Sequence, residues 1–150
     1  MHGDTDVMRR RVAQLREQGG DVRALADRLV SQAETVAWSG RAAESMRERV
    51  RERAGQLRAC AGRHDVAADA LQRHLQEVER VAELIAARER RARSLRDEAR
   101  ARVDAVLAHA EADRELGVVR EPDAADRRLL ECDLPPTGHR DWLDLELPGL

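Results

Sequence analysis

Apolar residues recur along the first quarter of the chain at alternating spacings of four and three: Met8, Val12, Leu15, Gly19, Val22, Ala26, Leu29, Ala33 and Val36. That is a heptad stripe, the pattern of a helix that buries one seam against another helix. It predicts a helix over about 5–37, which Asp4, Thr5 or Asp6 can cap. Gly19-Gly20 is a weak point, since each glycine costs a helix about 1 kcal/mol relative to alanine. A second stripe follows through Met46, Val50, Ala54, Leu57, Ala61, His64, Ala68, Leu71, Leu75, Val78, Ala82 and Ile85. Between the two stand Trp38-Ser39-Gly40, read as a loop of two or three residues, short enough to force the helices antiparallel. Ser39 is the expected N-cap of the second helix, and Trp38 is expected to cover the end of the hairpin.

The first proline is Pro122, so nothing covalent interrupts helix before it. A helix over 5–37 spans roughly 50 Å, which uses up its antiparallel partner near Leu75. The stripe nevertheless continues through Ala92, Leu95, Ala99, Val103, Val106 and Ala110, and this stretch needs some other cover. Arg88-Glu89-Arg90-Arg91 puts charge where the seam should run, and Ser94-Leu95-Arg96-Asp97 has the form of a capping box. Two readings stay open: one helix over 41–115, or a break near 91–94 with a third helix folding back. The absence of glycine and proline there favours the unbroken helix. The expected fold is therefore all-α: a long antiparallel helical hairpin over residues 1–116, followed by a tail over 117–150. All four prolines lie in that tail, and across 111–150 acids outnumber arginines eleven to five, so it is read as mostly disordered.

Composition narrows the picture. There is no Phe, no Tyr and a single Ile, which argues against strands. All 27 basic residues are arginine, which excludes lysine chemistry such as a Schiff base or a P-loop. A net charge of −2 gives no global field to attract nucleic acid. No apolar run approaches the ~20 residues of a membrane span, and the N-terminal stretch lacks the apolar segment of a secretory signal. A cytoplasmic protein is expected, or one exported by a route that needs no cleaved signal.

Candidate chemistry is sparse. Cys60 and His64 share a helical face, but two ligands do not make a zinc site, and the plainer reading packs both in the seam. No phosphate loop, nucleophile elbow or metalloprotease motif is present, so no catalytic residue, metal or cofactor is assigned and the protein is read as no enzyme. Seven arginines over 88–102 have acids among them and no aromatic to stack a base, which suits a solvated helix or an acidic partner segment better than nucleic acid. The expected partner contacts are Leu95, Val103 and Val106 on the helix, with Trp142, Leu143 and Leu145 in the tail. There, acidic and apolar residues alternate like a docking motif.

Trp38-Ser39-Gly40, followed by Arg41-Ala42-Ala43-Glu44-Ser45-Met46, resembles the turn of the WXG family of type VII (ESX) secretion substrates. The run Ala67-Ala68-Asp69-Ala70-Leu71 is similar to the second helix of related actinobacterial secretion-signal domains. The likeness covers about 5–87. It implies a helical hairpin that pairs into a four-helix bundle, as a homodimer or with another WXG-like protein or toxin, and export without a cleaved signal. Trp38 and Gly40 would then be turn and recognition residues. The family's export signal, a Tyr followed by an acid four residues on, has no counterpart because the chain has no Tyr. The expected function is a secreted substrate or the adaptor partner of an effector. The alternative is a cytoplasmic coiled-coil scaffold that docks through its acidic tail.

Overall fold

The computed structural model describes residues 2–150, with the side chains of residues 2, 3 and 111 left aside. It is all-helical among the described residues: α1 (His2–Thr35), α2 (Arg41–Glu115), α3 (Ala124–Glu131) and a 3-10 turn at Arg140–Leu143. The chain divides into two compact units, Met1–Glu79 and Arg80–Leu150, a division that falls inside α2 rather than at the expected 116/117.

In the first unit α1 and α2 form the antiparallel hairpin. Its fully buried seam residues are small and recur every seventh position: Val12, Gly19, Ala26 and Ala33 on α1, and Ala54, Ala61 and Ala68 on α2, ahead of Leu75. The larger members of the stripe, among them Leu15, Val22, Leu29, Val50, Leu57 and Leu71, are only half-buried. Small side chains at the line of contact let the helices approach closely and push the bulky ones to its flank.

Gly19 belongs to that line and does not break α1. A Cβ built on it would lie 3.2 Å from Asp65 Oδ1 and 3.3 Å from the Ala61 carbonyl oxygen. The helical cost of Gly19 is offset by close packing, whereas Gly20 faces open space.

The turn differs from expectation in two respects. It spans five residues, 36–40, and Gly40 rather than Ser39 caps α2, at φ +95° and with its carbonyl accepting from Glu44 N at 3.2 Å. The Trp38 ring is 60% exposed and does not cover the hairpin end. Arg47 closes the turn instead, donating to the carbonyls of Ala33 (3.2 Å), Val36 (3.0 Å) and Trp38 (2.8 Å). It thereby ties the Ala33 carbonyl, in the last turn of α1, to two carbonyls of the turn that follows.

In the second unit α2 runs without a break through 91–94. Ser94 caps nothing; its hydroxyl donates to Glu98 Oε1 at 3.0 Å. The stretch expected to be disordered folds back onto α2 as an ordered strap. Asp123 caps α3 by accepting from Ala125 N at 2.7 Å, and Leu129 of α3 packs on Leu95 and Ala99. Further on, Trp142 is 1% exposed, against Ile85 and Ala92.

Candidate partner-binding faces

The hairpin of the first unit has two unlike sides. Every cross-helix ion pair it shows lies on one of them: Arg9 with Glu79, Arg16 with Asp69 (3.2 Å), Arg23 with Asp65, Arg51 with Glu34 (2.5 Å) and Arg58 with Asp27 (2.6 Å). Arg16, Arg23 and Arg58 stand four residues after Val12, Gly19 and Ala54 of the buried line, and Arg9 and Arg51 lie seven residues before Arg16 and Arg58, so all five flank the same edge of the seam. The Glu79 carboxylate raises the Arg9 pKa, first by its hydrogen bond and then by its charge. Such exposed pairs contribute little stability one by one, but as a set they specify the register of the two helices.

On the other edge stand the large, half-buried residues of both stripes: Met8, Leu15, Val22 and Leu29 from α1, and Val50, Leu57, His64, Leu71 and Val78 from α2. They leave a shallow apolar groove of about 270 Å³ lined by Leu29, Met46 and Val50, with Arg49 and Arg53 at its rim. Cys60 and His64 lie along this edge, both half-buried; His64 Nδ1 is buried without a hydrogen-bond partner. Among the described residues no three His, Cys, Asp or Glu side chains converge on a point that could hold a metal ion.

The second unit disposes of the expected partner residues differently. Trp142, Leu143 and Leu145, read from sequence as a docking motif, pack on the chain's own helix around Ile85 and Ala92. Leu95 is covered by Leu129, with Leu130, Leu147 and Leu150 around it. These four are therefore core contacts, not free surface. Val103 and Val106 lie outside both clusters and stay half-exposed, near the exposed Leu107.

The arginines of 88–102 explain how an acidic, proline-containing segment is held. Arg88 donates to the carbonyls of Trp142 and Leu145, both at 2.7 Å, and Arg96 to that of Leu130 at 2.9 Å. Arg102 grips Asp126 through two bonds of 2.9 and 2.6 Å, and this hydrogen bonding holds the Asp126 carboxyl below the usual carboxylate range. Glu89 is the charge in the seam. It is 6% exposed, accepts from Gly138 N at 3.2 Å and pairs with Arg93. The Trp142 indole donates to the Pro136 carbonyl at 2.9 Å, so the ring is buried with its one donor satisfied.

From sequence these arginines read as a solvated helix or as a surface for an acidic partner segment; the acidic segment they hold is the chain's own tail. The signals that the tail was that partner are the capping sequence Asp123-Ala124-Ala125-Asp126, the leucines spaced through 129–150, and the local charge of opposite sign. Among the described residues no helix is long and apolar enough to cross a membrane. Compared with known proteins, the chain matches no family model, no curated protein and no solved structure.

Proposed function

We propose that the chain is a non-enzymatic helix-pairing protein of the WXG-like, type VII secretion kind, either a secreted substrate or the adaptor partner of an effector. The observation that carries this reading is the two-sided hairpin. Its ion pairs are spent on one edge of the seam, while the other leaves an apolar stripe from both helices half-covered. A second helical hairpin laid on that stripe would complete a four-helix bundle. Trp38 supports the reading further, because an indole 60% exposed at the turn contributes little to the hairpin and is available for recognition. The tail is the weaker candidate for docking, since its Trp142 is already buried within the chain.

The experiment is co-expression with the helical products of the flanking genes, followed by the mass of the purified species in solution. A stable 1:1 complex with a Tyr-bearing or toxin-fused helical neighbour is expected. A chain that stays a monomer beside every such neighbour contradicts the reading.

A further inference from the structure

The open edge of the hairpin has a charge as well as a shape. Arg11, Arg28, Arg49, Arg53 and Arg63 each stand one residue before or three after a large residue of the stripe, so they line the apolar edge. Arg49 and Arg53 border the groove directly. Arg11 and Arg53 reach only along their own helix, to Gln14 at 3.3 Å and Gln56 at 2.9 Å. Among the described residues none of the five meets an acid, whereas the five arginines on the opposite edge are all paired across the seam. By the same register Asp4, Asp21 and Glu77 bring negative charge to the open edge, fewer than its five arginines.

From this sorting we infer that the open face takes a different chain rather than a second copy: an amphipathic helix whose apolar stripe is flanked by Asp and Glu. The inference rests on the pairing function proposed above and specifies its partner. Two copies packed through this face would set one arginine rim against another, and like charges at such flanking positions select against a pairing. An acid-flanked helix would meet the same rims with opposite charge and lay its apolar residues over Leu29, Val50 and Leu57. Complementary rims act chiefly on the choice of partner and the rate of encounter, so the preference depends on salt.

The test uses the full chain and two synthetic helices of about four heptads with one identical Leu/Ala seam, flanked throughout by Glu in one and by Lys in the other. The Glu-flanked peptide is expected to bind at least about tenfold more tightly at low salt, with the difference shrinking toward about 0.5 M salt. The double variant Arg49→Glu/Arg53→Glu should reverse the order. Neither arginine has an acid partner to lose, and unchanged circular dichroism checks the fold; Arg63→Glu provides a second, independent variant. Equal binding of both peptides overturns the inference. A homodimer that the double variant leaves intact, but Leu57→Glu disrupts, overturns it while keeping helix pairing as the function. Association with phosphatidylserine vesicles but with neither peptide overturns both, as does the absence of any association.

Discussion

The two units close the same kind of stripe by different means. In the hairpin, helix meets helix: alanine and glycine recur every seventh residue, and arginines pair with carboxylates across one edge. In the second unit Ile85, Ala92 and Ala99 keep the seven-residue spacing, but their cover is a strap containing one short helix and a 3-10 turn. A strap exposes backbone carbonyls that no helix ladder satisfies, and there the arginines bond carbonyls as well as a carboxylate. The same residue type thus sets register in one unit and stands in for secondary structure in the other. The strap seals its stripe with an indole and leucines, whereas the hairpin leaves half of its own stripe uncovered.

The sharpest way to break the contrast is at the strap's anchor. Trp142→Ala should cost the second unit about 3–5 kcal/mol, since a fully buried indole is replaced by a cavity. Limited proteolysis should then cut within 117–150, with the hairpin intact; an unchanged cleavage pattern would remove Trp142 from this role. In the hairpin, Gly19→Leu should cost about 1–3 kcal/mol by forcing apart helices already in contact there. Urea unfolding measures it, and a neutral result would mean the helices do not approach at Gly19.

Acid acts on the strap. The native Asp126 carboxyl lies below its ordinary value, so its bond to Arg102 stabilises the strap above about pH 4. That contribution is lost as the pH falls from about 4 through the lowered native value. Protease sensitivity of 117–150 should rise over that range, and Asp126→Asn should make it flat with pH. Gly20→Ala should stabilise α1 by about 0.5–1 kcal/mol, opposite in sign to the change at Gly19, because nothing lies within reach of the added methyl. Smallest of all, Trp38→Ala should alter thermal stability by less than about 0.5 kcal/mol, as expected for a mostly exposed ring.

The hairpin was legible because periodicity and punctuation agreed. Heptads on both sides of Trp38-Ser39-Gly40 locate two helices and their reversal, and the absence of Gly and Pro near 91–94 points to the continuous α2. What the pattern could not weigh was size. It treats Leu15 and Gly19 as equal members of a stripe, although only the small residue reaches the contact line, and so Gly19 reads as a defect. The strap escaped for a different reason. Prolines and acids give 117–150 the composition of a disordered segment, yet its order comes from arginines far away in sequence and from a helix groove that no local window contains. Trp142 was expected to contact a partner and is buried against Ile85 and Ala92 of the chain itself; Trp38 was expected to cover the hairpin end and is mostly exposed.

The central claim is that the stripe edge of the hairpin, and not the strap, is where a partner binds. Cys60 lies on that edge and Cys132 in the second unit, and neither is disulfide-bonded. The direct test is the rate of maleimide labelling at each thiol, in the isolated chain and in its complex. The account predicts slowing of at least about tenfold at Cys60 on complex formation, as expected where an interface core excludes solvent, with Cys132 unchanged. Protection of Cys132 with Cys60 left as reactive as before would contradict it.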